Sequence, residues 1–344
     1  MKTSPRSITI IGGGIGGLTL AAALDPRRFE VTLLEADPRR RQFGAGVGLW
    51  KSARRALQGL GAWRAMPEGT GGSAATGTLH DIYGRPLTRL KGLDLHIVER
   101  PRLLAAIESI VPASVIQRSE QVDDPALVAG DLVIGADGVR SQVRRLVHAP
   151  AAERIETPYV ALRGISDAAD TGDLGEYWGP GLLFGLAPMT DGRGYWFSTH
   201  RSGTGPEPLD VDAVADQARA LFADAAPAVR RILEKAGRAA GTNATRMWIA
   251  PPMPRYANGR YVVIGDAAHA SLPNLGRGAC DAILDAVTLA RTLNKGGSLA
   301  SWQARRLPFT QAARVTASGI MGLALLDTGH AARDKAMRTV GRVL

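Results

Sequence analysis

Cysteine is almost absent from this chain of 344 residues, which has Cys280 alone. A single cysteine excludes an internal disulfide and a cysteine-based zinc cluster, and it is typical of proteins from a reducing compartment. The sequence shows no other metal-ligand pattern, and apolar stretches such as 315–326 are shorter than the roughly 18 to 20 residues that span a bilayer. We therefore expect a soluble, cytoplasmic protein with no metal and no membrane span.

Acidic residues are in the minority, because 32 Asp and Glu stand against 42 Lys and Arg and leave a formal net charge of +10. The basic residues occur as scattered pairs and one triplet, and aromatic residues make up only 5% of the chain. Single-stranded nucleic acid is bound by basic and aromatic residues that are interleaved on one surface. We expect no nucleic-acid partner, although a nonenzymatic basic binding module stays open as another class of function.

The composition is otherwise that of a globular protein, with 45% hydrophobic and 22% charged residues. This balance excludes a mainly disordered chain. Because 344 residues are too many for one ordinary core, two domains are expected.

Residues 7–35 have the pattern of a βαβ unit. The β-branched stretch 7–11 predicts a first strand rather than a signal peptide, because it runs at once into a glycine cluster. Residues 12–17 have the spacing G-x-G-x-x-G, in which the first glycine permits a turn, the second lets backbone approach a pyrophosphate, and the third lets helix pack on strand. The turn residues predicted to contact a dinucleotide are Gly12, Gly14, Ile15, Gly16 and Gly17.

Glu35 ends the second predicted strand, 30–35. A carboxylate at this point accepts hydrogen bonds from a ribose diol and repels a 2′-phosphate. The bound adenosine is therefore expected to belong to FAD or NAD and not to NADP.

Three segments far apart in the chain share one order, which is a buried strand, then small residues with a carboxylate, then a helix. They are the glycine turn with Glu35, residues 135–141 (GADGVRS) and residues 265–269 (GDAAH). With these motifs the chain resembles the class A (single-component) FAD-dependent aromatic monooxygenases, the para-hydroxybenzoate hydroxylase-like family, over nearly its whole length. The resemblance implies FAD as the bound cofactor and NADPH or NADH as a transient cosubstrate.

The resemblance also implies roles for single residues. The family's D-G-x-x-S-x-x-R pattern stands at 137–144 and implies contacts to the FAD pyrophosphate and to NAD(P)H, while Arg100 matches an arginine that contacts the flavin's linker. The family's G-D-A-A-H and P-x-x-G-x-G patterns stand at 265–278, with Arg277 where glutamine is usual. The implied cofactor-binding residues beyond the first turn are Glu35, Arg100, Asp137, Gly138, Arg144, Gly265, Asp266, Pro273, Gly276, Arg277, Gly278 and Ala279.

The chemistry of the third motif agrees with this interpretation. Asp266 at a strand end can accept hydrogen bonds from ribityl hydroxyls. The helix start at 276–278 can direct N–H groups at the flavin and stabilise the negative charge of its reduced form. His269 is interpreted as a packing residue rather than a base, and Cys280 as a small packed side chain rather than a thiolate.

The predicted fold class is α/β. A three-layer, Rossmann-like FAD-binding domain is interleaved with a β-sheet substrate domain, and helices follow at the C-terminal end. Hydrophobic periodicity and turn residues predict a hairpin over 70–95 and helices over 98–111, 211–236 and 278–293. The expected boundaries are 1–75, 98–156 and 256–300 for the FAD-binding domain, 76–97 and 157–255 for the sheet domain, and 301–344 for the helices.

The predicted reaction is hydroxylation or epoxidation of an aromatic or otherwise electron-rich, olefinic small molecule with NAD(P)H and O2, through a flavin C4a-hydroperoxide. No side chain is assigned a catalytic role of its own. A flavin-dependent reductase or cyclase of the same superfamily, without oxygen transfer, is the alternative.

Finer properties are predicted from fewer residues. NADPH is slightly favoured over NADH, because the arginine triplet 39–41 follows the second strand and could meet a 2′-phosphate outside the FAD site. Tyr195, Phe197 and His200 are candidate substrate-lining residues on one strand, whose alternating faces leave open which side lines the pocket. A monomer or a homodimer is expected.

Overall fold

The computed structural model describes residues 6–37, 39, 46–66, 72–167, 174–189, 192–203, 205 and 207–340. These residues form two β-sheets with helices packed against them. None of their helices combines the length and the hydropathy that a bilayer crossing requires. The α/β fold class predicted from the sequence is confirmed.

The elements are named in chain order. The strands are β1 Arg6–Ile11, β2 Phe29–Glu35, β3 Gly46–Trp50, β4 Gly72–Asp81, β5 Pro86–Glu99, β6 Ile116–Ser119, β7 Leu132–Gly135, β8 Ile155–Ser166, β9 Gly175–Gly179, β10 Leu182–Pro188, β11 Gly194–Arg201, β12 Asn243–Ile249, β13 Ala257–Asn258 and β14 Tyr261–Val263. The helices are α1 Ile15–Ala23, α2 Lys51–Leu60, α3 Ala62–Ala65, α4 Arg100–Glu108, α5 Val143–Val147, α6 Val211–Leu221, α7 Pro227–Lys235, α8 Asp266–His269, α9 Gly278–Asn294, α10 Leu299–Ala324 and α11 His330–Val340.

The first sheet has six strands in the order β13-β14-β7-β1-β2-β6. Its strands are parallel except β13, and β1 pairs with β2 at Ile8↔Val31 and with β7 at Ile10↔Ile134. The central strands are apolar almost throughout, because they share one buried core with α1, α4 and α9. This is the Rossmann-like unit predicted from residues 7–35.

The second sheet has eight strands in the order β12-β8-β11-β10-β9-β4-β5-β3. Its neighbours are antiparallel except β4 and β9. One face packs against α6 and α7, where Phe184 and Trp196 meet Val214. The opposite face packs against the end of α10, where Leu183 meets Met321.

Strand β3 joins the two parts of the molecule. It lies inside the predicted FAD-binding segment 1–75, but it pairs with β5 of the second sheet at Gly48↔Ile97. The chain therefore enters the second sheet once before α2 returns to the first core. The domain boundaries stay a prediction.

Two helix predictions need correction. The predicted helix 211–236 is divided into α6 and α7, because Pro227 has no N–H to donate and stands in the first turn of a new helix. The predicted helix 98–111 begins only at Arg100, since Val98 and Glu99 still pair with β3.

Candidate functional site

The carboxyl ends of β1, β2, β7 and β14 lie at one edge of the first sheet, because these strands are parallel. The predicted motifs follow there: the glycine turn after β1, Glu35 at the end of β2, Asp137 after β7 and Asp266 after β14. Open parallel sheets bind ligands in the crevice at this edge. The structure thus brings together residues from three distant segments.

The turn after β1 requires glycine at two positions and leaves space at a third. A Cβ on Gly12, whose φ is +105°, would lie 2.3 Å from the carbonyl oxygen of Ala136, and a Cβ on Gly17 would lie 1.9 Å from that of Gly12. At Gly14 no heavy atom lies within 4 Å of the Cβ position. A phosphate group can therefore approach the backbone there, as a dinucleotide requires.

Glu35 is fixed beside this turn. Its Oε2 accepts a hydrogen bond from the N–H of Gly13 at 2.6 Å, and its Oε1 accepts one from the N–H of Asp37 at 2.9 Å. A carboxylate oxygen with one such bond keeps a lone pair for another donor. The position fits the ribose hydroxyls of an adenosine.

Asp266 is the first residue of α8 and follows the carboxyl end of β14. Its side chain is accessible to solvent, yet burial raises the pKa of its carboxyl, against the opposing effects of His269, Arg163 and Arg100. A group that is accessible and desolvated at once lies on the wall of a cleft rather than on a convex surface. A Cβ on Gly278 would lie 3.8 Å from Asp266 Oδ1, so α9 begins at the same cleft.

Arg100 is the first residue of α4. Burial lowers the pKa of its guanidinium, while the charges of Asp266 and Glu35 raise it. Arg100 is therefore within electrostatic reach of both carboxylates. The placement is compatible with a role at the flavin's linker, which stays a prediction.

Asp137 lies at the same edge of the sheet, in the loop between β7 and α5. Its Oδ2 accepts a hydrogen bond from the N–H of Gln142 at 2.8 Å. The next residue, Gly138, has φ +74° and no heavy atom within 4 Å of its Cβ position. The backbone at Gly138 is thus open to a ligand, as it is at Gly14.

The structure corrects the predicted role of Arg144. Its side chain is fully buried and donates to the carbonyl oxygens of Ala151 at 2.7 Å, Val139 at 2.9 Å and Ala267 at 3.2 Å. Because these carbonyls and that of Ala152 engage all three guanidinium nitrogens, Arg144 has no surface to offer a cofactor. It braces the loops that carry Asp137 and Asp266.

The segment 273–279 forms the lip of the cleft. Gly276 has φ +59°, and the carbonyl oxygen of Leu275 accepts a hydrogen bond from Trp50 Nε1 at 3.1 Å. Arg277 is ion-paired with Asp281 at 2.9 Å, so its charge is compensated within α9. The predicted cofactor residues of this segment, all at least partly exposed, are Pro273, Gly276, Arg277, Gly278 and Ala279.

Behind α8 lies a buried ionic network that sequence reasoning did not find. His269 Nε2 lies 2.6 Å from Asp285 Oδ2, and Asp285 also accepts hydrogen bonds from the N–H of Gly265 at 3.0 Å and from Arg306 Nε at 2.7 Å. Arg306 also contacts Asp281 at 3.3 Å. His269 is therefore engaged in structure, and the network fixes the backbone next to Asp266. The only sequence signal was an acidic residue on the buried side of a helix.

Two further side chains of the cleft differ in reactivity and in partners. Burial raises the pKa of the Cys280 thiol to about 11, so Cys280 stays protonated and packs beneath Trp50. Asn274, between Pro273 and Gly276, has both amide atoms buried without a hydrogen-bonding partner in the described part of the chain. No sequence pattern pointed to Asn274.

The three candidate substrate residues do not share one face of β11. Tyr195 and Phe197, with ring centroids 6.1 Å apart, lie on the face whose apolar cluster includes Leu272, next to the segment 273–279. On this face a Cβ on Gly46 would lie 2.6 Å from the Tyr195 ring. His200 lies on the opposite face, 1% exposed, beneath α6 and Gln217. Tyr195 and Phe197 thus share one of the two alternating faces and His200 lies on the other, as the alternation predicts. Their role as substrate residues stays a prediction.

A separate cavity of about 840 Å³ lies beside β12 and the start of β8. Its arginines are paired with its own glutamates: Arg140 and Arg154 with Glu207, and Arg246 with Glu156. Each of the three arginines has a glutamate partner, and Arg140 is the one residue of the three motif segments among the described lining residues. The cavity is therefore not assigned to the active site.

Comparison with known proteins gives the class that this edge and its motifs define. The FAD binding domain family matches residues 108–313, and the NAD(P)-binding Rossmann-like domain matches residues 10–41. The chain belongs to the class A FAD-dependent aromatic monooxygenases, and it is an oxidoreductase with FAD as its cofactor. Both were predicted from the sequence and are confirmed.

Particular relatives support this assignment. The chain is 31% identical to aurachin C monooxygenase/isomerase of Stigmatella aurantiaca over 330 residues, covering 89% of this chain and 85% of that protein. It is also 31% identical to 3-amino-4-hydroxybenzoate 2-monooxygenase of Streptomyces cremeus over 324 residues, covering 83% and 78%. The fold matches Klebsiella pneumoniae HpxO complexed with FAD and uric acid, with a TM-score of 0.83, 24% identity and coverage of 97% and 93%.

Proposed function

We propose that this enzyme uses NAD(P)H and O2 to insert one oxygen atom into an aromatic or otherwise electron-rich, olefinic small molecule. One arrangement supports the proposal. A Cβ on Gly46 of β3 would lie 2.6 Å from the Tyr195 ring, and a Cβ on Gly48, on the same side of β3, would lie 3.9 Å from the carbonyl oxygen of Gly276 at the lip of the cofactor cleft. Arg163 also interacts electrostatically with Asp266, at the cleft, and with Tyr195, on the aromatic wall of the second sheet. The cleft and the aromatic wall therefore belong to one chamber, in which a cofactor on one side faces a ring on the other.

The residues of the chamber bind and orient. When bound, FAD supplies the oxygen chemistry, because its reduced form reacts with O2 and delivers one oxygen atom. The glycine turn would hold the pyrophosphate, Glu35 the ribose and Asp266 the ribityl chain. The first turn of α9 would direct N–H groups at the flavin ring and stabilise negative charge there. The protein's contribution is position, electrostatics and exclusion of water.

An aromatic substrate with polar ring substituents agrees with a relative and with the wall. The Streptomyces cremeus relative is named for 3-amino-4-hydroxybenzoate, a benzene ring that carries amino and hydroxyl groups. Tyr195 and Phe197 offer such a ring a surface for stacking or edge contacts. We infer that a hydroxylated or aminated ring is the substrate class.

The nicotinamide preference stays a prediction. Arg39 is ion-paired with Asp37 at 3.3 Å and largely exposed, while Arg40 and Arg41 lie outside the described residues. NADPH remains slightly favoured, and the protein is proposed to be a monomer or a homodimer. The single cysteine, a buried free thiol, supports a cytoplasmic location.

Replacing Asp266 with alanine is expected to weaken FAD binding about tenfold or more, since the ribityl hydroxyls lose a charged acceptor. Titration of apoprotein with FAD, followed by quenching of flavin fluorescence, measures the dissociation constant. Asp224→Ala, at an exposed carboxylate between α6 and α7, is the matched control and should bind as the wild type does. Equal affinity of all three proteins would remove Asp266 from the cofactor site.

Turnover under labelled dioxygen is expected to place one 18O atom in the product and to stop when O2 is withdrawn. Candidate substrates are first selected as hydroxylated or aminated aromatics that accelerate NAD(P)H oxidation and lower the yield of H2O2 per turnover. Mass spectrometry of the product then decides. If turnover persists without O2, or no label enters any product, the reductase or cyclase alternative replaces the monooxygenase.

A further inference from the structure

One row of side chains crosses the second sheet on the face towards the cofactor cleft. Glu176 of β9 pairs with Gly185 of β10, Gly185 with Phe197 of β11, and Phe197 with Arg163 of β8. Residues directly opposite each other on antiparallel strands point to the same side of the sheet. Glu176 therefore shares its face with Phe197 and Arg163.

Phe197 forms an aromatic floor between the two polar side chains. Its ring lies over Gly185, where a Cβ would be 2.1 Å from Phe197 Cζ. Glu176 and Arg163 are three strands apart, about 14 Å at the usual strand spacing of about 4.8 Å. This separation is long enough for a ring system of one or two rings.

The row separates two apolar clusters on the same face. One cluster contains Trp178, Leu183 and Met321, and the other contains Ala187 and Tyr195. Phe197 is packed at the border of the first, and Tyr195 belongs to the second. Glu176 therefore lies between two apolar clusters of this face.

The Glu176 carboxyl has one oxygen engaged and one available. Oε2 accepts a hydrogen bond from Trp178 Nε1 at 2.9 Å, and Oε1 has no hydrogen-bonding partner among the described residues. The side chain keeps part of its surface accessible, although burial raises its pKa to about 7. Like Asp266, it has the properties of a group that lines an internal chamber.

The charged groups around Glu176 either form ion pairs with other residues or lie on the far side of the chamber. From β4, Asp81 is ion-paired with Arg85 at 2.6 Å and with Arg338 at 3.6 Å. From α11, the Arg333 guanidinium lies 5.5 Å from the Trp178 ring centroid and pairs with Asp334. Among the residues that the structure describes, the remaining titratable groups near the row are Arg163 and Tyr195 on the same face, and His80, which stacks on Tyr177 on the other face.

We propose that Glu176 is a specificity-determining residue whose Oε1 accepts a hydrogen bond from an O–H or N–H group of the aromatic substrate. The inference rests on the proposed function, since it assumes that the chamber holds the ring to be oxygenated. A ring that lies on Phe197 with its donor group at Glu176 points its opposite edge towards Arg163 and Asp266. The bond therefore sets which edge of the ring is presented to the cofactor, and the site selects free hydroxyl or amino groups over alkylated ones.

The test measures binding to the oxidised, FAD-loaded enzyme with two matched pairs of probes. The pairs are 3-hydroxybenzoate with 3-methoxybenzoate, and 1-naphthol with 1-methoxynaphthalene. Binding is followed by perturbation of the flavin absorbance between pH 6 and pH 8.5. At the alkaline end the hydroxyl member of at least one pair should bind about tenfold more tightly than its ether, because the acceptor is a charged carboxylate. This preference should decline as the pH falls through about 7, where Glu176 gains a proton.

The variant Glu176→Gln keeps the shape and the bond from Trp178 but cannot titrate. Its preference for the hydroxyl probe should be several-fold smaller and independent of pH, while its FAD content and unfolding temperature match those of the wild type. Glu156→Gln, at an exposed carboxylate on β8, is the control and should behave as the wild type does. The proposal is overturned if wild type and Glu176→Gln show the same ratio at every pH, or if no hydroxyl probe binds better than its ether.

The outcome of this binding measurement does not depend on whether the enzyme is a monooxygenase, since binding needs neither reductant nor O2. A Glu176-dependent preference without 18O in any product would retain the recognition role and reject the monooxygenase. Incorporation of 18O without such a preference would retain the monooxygenase and reject the recognition role of Glu176.

Discussion

Replacing Gly17 with alanine is expected to give a protein that loses FAD and unfolds more easily. The new Cβ would lie 1.9 Å from the carbonyl oxygen of Gly12, so α1 must move away from β1 or the turn must open. Overpacking of this kind costs about 1–3 kcal/mol of the free energy of unfolding. The displacement also moves the helix N-terminus away from the pyrophosphate. Flavin absorbance of the purified protein measures the first effect, and thermal unfolding measures the second.

Substitutions at two neighbouring glycines distinguish the effect of packing from the effect of cofactor contact. Gly14→Ala places a methyl group in open space, so the apoprotein should unfold as the wild type does while FAD affinity falls. Gly16→Ala places its Cβ 3.6 Å from Ala282 Cβ, an ordinary contact, so the free energy of unfolding should stay close to that of the wild type. Wild-type FAD content in Gly17→Ala, or an equal loss in all three variants, would contradict this account of the turn.

Local patterns were sufficient for the elements that carry the motifs. Residues 7–35 alternate and turn within one βαβ unit, so their periodicity and glycine spacing determine the structure with little help from distant residues. The parallel order of β1, β7 and β14 then brings Asp137 and Asp266 to the edge where the glycine turn lies. These carboxylates could be predicted as neighbours because each follows a buried strand of the same sheet.

Features that depend on pairing between distant segments were not predictable in the same way. Arg144 matches a cofactor motif, but its donors meet carbonyls that only the folded loops bring near. His200 and Phe197 lie on one strand, yet the register of β11 against β8 decides which face meets the cofactor cleft. No role for Glu176 could be predicted from the sequence, because the function of a single acidic residue in a strand depends on which residues lie opposite it in the sheet.

Replacing Arg306 with methionine is expected to have the largest effect on stability. Arg306 bonds Asp285 at 2.7 Å and contacts Asp281 at 3.3 Å, and all three side chains are buried. Removing one partner of a buried ionic network leaves uncompensated charge and costs about 3–5 kcal/mol. Arg305→Met is the matched control, because Arg305 is exposed and its loss should change the free energy of unfolding by no more than about 0.5 kcal/mol. Denaturant unfolding at constant excess FAD compares the two.

The pH dependence of the Arg306→Met variant distinguishes loss of charge from loss of packing. Burial alone would lower the pKa of the His269 imidazole, but the charge of Asp285 outweighs it, so the pKa is raised. Burial alone would raise the pKa of the Asp285 carboxyl, but His269 and Arg306 outweigh it, so the pKa is lowered. A raised histidine pKa contributes stability that is complete below the ordinary value of about 6.5 and is lost as the pH rises through the folded value. Without Arg306, the His269 imidazolium is the one cation that contacts Asp285 in the described part of the chain. The deficit of the variant relative to wild type should therefore grow between pH 6 and pH 9, because deprotonation of His269 then leaves Asp285 with no positive partner. A deficit of equal size at every pH would show that Arg306 acts through packing alone.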